Sequence, residues 1–229
     1  MNPFYKLPIT LQWVLTLLLF SLGTGLMIAF FILTNNNLLW WLSLPLLASL
    51  FMFTTTPFMV LLGVYKYLSP MLLVYNPNKK LYDLHNGTSF DYVLLMRKVK
   101  AGSAAKKLIL SYYLEGLLQI IQEIKTGDLP DSLVISGSSY FFSERTAEKL
   151  GFTIQKADSM VHFNSAFNIL DLTWMYSYAH GRFRFPRLSD IKKANITGVD
   201  LLKQEAYIHR LKQALSDEGA EDTHMSLPT

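Results

Sequence analysis

Three groups of residues in the downstream part of the chain have types and spacings suited to chemistry. His85 and Asp91 flank the turn-forming run Asn86-Gly87-Thr88. A histidine and a carboxylate so placed form a base and the group that orients it. Ser138, brought to the same end of a sheet, would complete a constellation for transfer or hydrolysis of a lipid-linked or phosphorylated substrate. The plainer reading of the same residues is an Asn-Gly turn with a strand-end histidine. The second group is Ser136-Gly137-Ser138-Ser139, between a short apolar run and a helix expected from Ser143. A Ser/Gly loop at the carboxyl end of a strand offers N–H groups and hydroxyls to an anion, and Arg145 would add charge. It matches neither a P-loop, a dinucleotide fingerprint nor a nucleophile elbow, so an ordinary strand-to-helix loop is the competing reading. The third group alternates Arg182, Phe183, Arg184, Phe185 and Arg187. Such a run suits a membrane surface, a protein partner or an edge strand with one solvated face.

Other chemistry is narrowed by composition. The chain has no cysteine, which removes disulfides, thiolate nucleophiles and cysteine-based zinc sites. His162, His180, His209 and His224 stand at no metal-ligand spacing to one another, so neither a metal nor a cofactor is expected. The net charge is +4. Without a stacking module or a basic helix, that charge does not point to nucleic acid.

The element that must position these groups lies upstream. Leu7 to Tyr65 contains no Asp, Glu, Lys, Arg or His. That is well beyond the roughly 20 apolar residues one membrane span requires. Thr34-Asn35-Asn36-Asn37 divides it into spans of about 9–33 and 38–64, a hairpin over residues 1–66. Pro57 removes a backbone donor inside the second span, next to Thr54-Thr55-Thr56, whose hydroxyls can bond back to the helix. Lys6, Lys66, Lys79, Lys80, Arg97, Lys98 and Lys100 flank the hairpin, and the loop between the spans is uncharged. The positive-inside rule therefore expects an inner-membrane, multi-pass chain with both termini cytoplasmic.

Beyond the hairpin, residues 67–78 are apolar but too short to cross, and read as an interfacial connector. Residues 79–215 read as one α/β domain. Asn86-Gly87 signals a hairpin between two strands, or a strand and a loop that re-enters the sheet, with Val93-Leu94-Leu95-Met96 as a buried strand core. Ala105, Leu108, Ile109, Tyr112, Leu117, Ile120, Ile121 and Ile124 recur at helical spacing after Ser103, and Gly127 with Pro130 stops that helix. Leu133-Val134-Ile135 reads as a short strand, completing a βαβ unit. A helix from Ser143 to Leu150, a strand from Phe152 to Gln155, an aromatic stretch from Val161 to Tyr178 that reads as a strand followed by a helix or as a membrane-facing helix, too polar for a third span, and a helix from Leu201 to Leu215 follow. The acidic tail 216–229 reads as disordered.

The fold class expected is thus a membrane-anchored α/β chain, a two-helix transmembrane hairpin followed by one small α/β domain. Two functional classes follow. The first is an interaction or assembly subunit of a membrane complex, with the lipid bilayer and a membrane-protein partner or a second copy as its contacts. The second is the membrane-associated transferase or hydrolase described above.

Overall fold

A computed structural model describes residues 2–34, 38–138, 144–157 and 159–224. Two long apolar helices come first, α1 (Ile9–Thr34) and α2 (Leu44–Leu61), joined through a short 3-10 turn at Leu38–Ser43. Both are long and apolar enough to cross a membrane. They pack against each other along their length. Gly23 permits this, since a Cβ there would run into the Thr54 side chain. Phe20 stacks on Phe58 lower down, with ring centroids 4.5 Å apart. Before Pro57 the Thr55 and Thr56 hydroxyls donate to the carbonyls of Phe51 and Met52, each at 2.8 Å. The polar groups beside the proline are thereby satisfied within the helix itself.

A mixed α/β domain follows directly. Its six strands are β1 (Tyr65–Ser69), β2 (Leu72–Tyr75), β3 (Leu81–Asn86), β4 (Val134–Ser138), β5 (Thr153–Lys156) and β6 (Lys192–Thr197). They lie in the order β1-β2-β3-β4-β6-β5. Only β3 and β4 are parallel, with Leu84 opposite Gly137. The helices α3 (Ser89–Leu95) and α4 (Ser103–Lys125) make the crossover between them. The expected βαβ unit is present at this place.

The periodic apolar positions of α4 are the centre of the core. Ile109, Tyr113, Leu114, Leu117, Ile120 and Ile121 are buried against Leu72, Val74, Tyr82, Leu84 and Ile135. Lys66 ties β1 to the same helix, its ammonium 2.7 Å from the Glu123 carboxylate. The remaining helices are α5 (Glu144–Lys149), α6 (Ser159–Phe167), α7 (Ile169–His180), α8 (Gly198–Lys203) and α9 (Glu205–His224). Both α7 and α9 lie against α4.

Several expectations are corrected. Most of residues 67–78 form β1 and β2, so the sheet starts at Tyr65, ahead of the expected domain. Asn86-Gly87 does not turn between strands. It ends β3, and Thr88 opens α3, which absorbs Val93, Leu94 and Leu95 into a helix. The stretch Val161–Tyr178 lies within α6 and α7. A strand, β6, occupies Lys192–Thr197, where none was expected. The acidic tail continues α9 as helix to His224, and 225–229 lie outside the described residues.

Close approach of α4 to the β1–β2 hairpin depends on Gly116. A Cβ there would stand 2.5 Å from Leu72 Cδ2 and 3.3 Å from Leu68 Cβ. Gly116→Val is therefore expected to cost about 1–3 kcal/mol by overpacking. Gly25→Ala, with nothing within 4 Å of the new methyl group, should be neutral or stabilising. Thermal unfolding in detergent checks the contrast, and equal effects at the two glycines would contradict the packing described.

Candidate functional site

A cavity of about 100 Å³ opens at the carboxyl ends of β3 and β4. Its floor follows from strand register. Leu84, Gly137, Ala194 and Ile154 are partners across β3, β4, β6 and β5. Two of the four are small, so the row is bulky at its ends and hollow in the middle. Tyr113 and Leu117 of α4 line it as well, and Ala147 and Leu150 of α5 complete the apolar wall. Polar groups are few: the Tyr113 hydroxyl donates to Asn86 Oδ1, and Asp190 and Lys192 stand at the border. An apolar wall with a few fixed polar groups is the usual composition of a small-molecule site. Its volume is below the roughly 300 Å³ at which sites for drug-sized ligands begin. It suits a group of a few heavy atoms.

The structure brings some of the expected residues to this cavity and takes others away. His85, Gly137 and Ser138 border it. Alternation along a strand nevertheless turns His85 from the face that Leu84 and Asn86 share. Its ring stacks on Tyr75 at 3.8 Å, and its Nε2 lies 2.9 Å from Asp83 Oδ2. The carboxylate that orients His85 is thus Asp83, two residues back, and not Asp91. Ser136 is buried on β4 and its hydroxyl has no hydrogen-bond partner among the described residues. Arg145 is exposed in the short helix α5, and Ser139 lies outside the described residues.

Asp91 is engaged elsewhere. It is fully buried, and its carboxylate collects four donors from three segments. Asn2 Nδ2 donates to Oδ1 at 2.9 Å. The Tyr67 hydroxyl of β1 donates to Oδ2 at 2.7 Å, the Thr88 amide at 2.8 Å and the Thr88 hydroxyl at 3.1 Å. With Thr88 it forms a capping box on α3. Around it Phe4, Tyr5 and Phe90 form a second apolar cluster, joined by Leu15, Leu19 and Phe53 of the long helices. Burial raises the carboxyl above its usual range, and the hydrogen bonds from Tyr67, Asn2 and Thr88 draw it part of the way back.

The basic-aromatic loop follows α7 and is exposed, with Phe183 75% and Phe185 60% accessible. It is nonetheless held in shape. The Arg184 amide donates to Ser177 Oγ at 2.9 Å, and that hydroxyl donates back to the Arg184 carbonyl at 3.1 Å. The Arg184 guanidinium lies over the Tyr176 ring, 5.7 Å from its centre, and Phe183 meets Phe185 edge to face at 5.1 Å. Arg182, Arg184 and Arg187 are all exposed.

Comparison with protein-family models, characterised proteins and solved structures returns no match. Among the described residues no group of three or more histidines or acids is placed to hold a metal ion. Sequence reasoning missed Asn2 and Tyr67 as partners of Asp91, and Asn86, Tyr113, Asp190, Lys192 and Ala194 as the cavity's other bounds. One signal was present: Thr88-x-x-Asp91 ahead of an apolar run is a capping-box pattern.

Removing the carboxylate strands several buried donors together. Asp91→Ala should lower stability by about 3 kcal/mol at neutral pH, read from thermal unfolding in detergent. Because the folded carboxyl titrates above its ordinary value of 3.8, the native state holds the proton more tightly. Its contribution is fully present below that value and is lost as pH rises through the raised one. The stability difference between wild type and Asp91→Ala should therefore widen on acidification from neutral pH. A difference that shrinks would mean the carboxyl is not destabilised by burial.

Proposed function

We propose that the chain is an integral inner-membrane protein, multi-pass with both termini cytoplasmic, whose α/β domain is an interaction or assembly subunit of a membrane complex. The orientation is supported by Lys6, Lys66, Lys79 and Lys80 on the flanks of two uncharged helices. The assembly reading is carried by the loop of Arg182, Phe183, Arg184, Phe185 and Arg187. Two rings and three guanidinium groups are presented to the outside on a backbone fixed by paired hydrogen bonds. Aromatic and arginine side chains dominate binding energy at protein interfaces, and a surface already held in shape loses less entropy on docking.

The second reading, a transferase or hydrolase acting on a lipid-linked or phosphorylated substrate, keeps one supporting observation: His85 and Ser138 border the same cavity. Against it, the Asp91 carboxylate is occupied by a structural cluster.

Mass spectrometry of the protein extracted with its surrounding membrane separates the two. The assembly reading expects a protein partner at fixed stoichiometry, lost on replacing Phe183 and Phe185 with Ser and retained in His85→Ala and Ser138→Ala. A bound small molecule without a protein partner, lost in His85→Ala, would overturn it in favour of the enzyme.

A further inference from the structure

We propose that α6 and α7 form a third membrane element, a helix pair that dips into the lipid beside α2 without crossing it. The inference rests on the reading of α1 and α2 as membrane spans. Two contacts set the depth. Asp171, in the first turn of α7, is buried where α7 lies against α2 and α3, near Ser49 of α2 and Ser89 of α3. Phe90, in the first turn of α3, meets Phe53 of α2 edge to face at 5.4 Å. At a rise of 1.5 Å per residue, Ser49 stands about 18 Å, and Phe53 about 12 Å, above the end of α2 at Leu61. A hydrocarbon core of about 30 Å needs essentially all of α2 and its entry turn. The start of α7 is therefore at lipid depth, and from there α7 descends past Tyr92, which meets Trp174 at 5.5 Å, to Tyr178, whose hydroxyl bonds the Met96 carbonyl at 2.6 Å.

The surface of the pair matches that position. Phe163, Phe167, Leu170 and Trp174 are 69%, 46%, 39% and 37% exposed. They recur at intervals of four, three and four residues, one helical stripe continued across the junction at Asn168. In α7 the polar Asp171 and Thr173 are buried, while in α6 Asn164 is exposed beside Phe163. Asp171 is buried and accepts from Trp174 Nε1 at 3.3 Å, and the Thr173 hydroxyl donates to the Ile169 carbonyl at 2.6 Å. An apolar stripe outside, with the one carboxyl of the segment buried inside, is the arrangement that suits hydrocarbon. The occupant of the stripe is lipid acyl chain, because α7 packs on α2, one of the two helices long and apolar enough to cross a membrane.

The absence of cysteine makes the test direct. Single cysteines at Phe163, Phe167 and Leu170 are spin-labelled in the full chain reconstituted in phospholipid vesicles, with Leu18 and Leu22 as bilayer references and the exposed Arg210 as the aqueous one. Collisions with oxygen and with a water-soluble nickel chelate are compared. The three labels are expected to show an oxygen-to-nickel ratio close to the α1 sites and several-fold above Arg210. A ratio like that of Arg210, with α1 still lipid-like, overturns the inference and leaves the hairpin standing. Exclusion of both reagents overturns it in favour of a protein cover. Aqueous values at Leu18 and Leu22 overturn the hairpin and the inference together. A chain with Trp13, Trp40 and Trp41 replaced by Phe gives a second reading: Trp174 fluorescence should be quenched by lipids brominated in the acyl chain, and an unquenched signal contradicts the placement.

Discussion

A carboxylate taken out of water must be met by donors from the protein, or the segment that carries it does not fold as found. Asp91 meets that requirement with groups drawn from the N-terminal stub, from β1 and from the start of its own helix. None of the three segments supplies enough donors alone. Satisfying one side chain therefore joins the residues before α1 to the first strand after α2 and to α3. The aromatic cluster of Phe4, Tyr5 and Phe90 closes over this point and extends to Phe53 on α2. The long helices and the α/β domain consequently meet in a packed interface at the place where a flexible linker would otherwise lie. The placement of α7 is tied to the same interface, since α3 packs on α2 and α7 lies against both.

The same economy explains the cavity. Strand register sets Gly137 next to Ala194, between Leu84 and Ile154. A bulkier residue at either central position would fill the hollow. At Gly137 even one extra carbon would stand 3.3 Å from Leu84 Cβ. The hollow is placed at the strand ends where α/β sheets commonly bind ligands, but fold position alone assigns no activity.

Much of the architecture was legible in the sequence where one physical signal acted without competition. The charge-free run from Leu7 to Tyr65 marked two apolar helices, and the repeat from Ala105 to Ile124 marked α4. Elsewhere two signals competed. Leu72, Leu73 and Val74 are all buried, so β2 is apolar on both faces and shows no alternation to set it apart from an interfacial segment. Asn86-Gly87 has strong hairpin preference, yet the capping box two residues on recruits the chain into a helix. In β6, Lys192, Lys193 and Asn195 are only half-buried, and their polarity masked a strand. The candidate site was legible in part: His85, Gly137 and Ser138 do share a cavity. That Asp91 is withdrawn from them depends on Asn2 and Tyr67, contacts between distant segments that no local pattern carries.

The central claim is that one buried carboxylate couples three segments, and amide hydrogen exchange tests it at residue level. In Asp91→Asn the side chain keeps its size and loses its charge and half its acceptor capacity. Protection is expected to fall together in residues 4–7, in β1 and in the first turn of α3, while the amides of α4 stay protected as in the wild type. Loss of protection confined to α3 would show that Asp91 caps its own helix and nothing more, and would contradict the account.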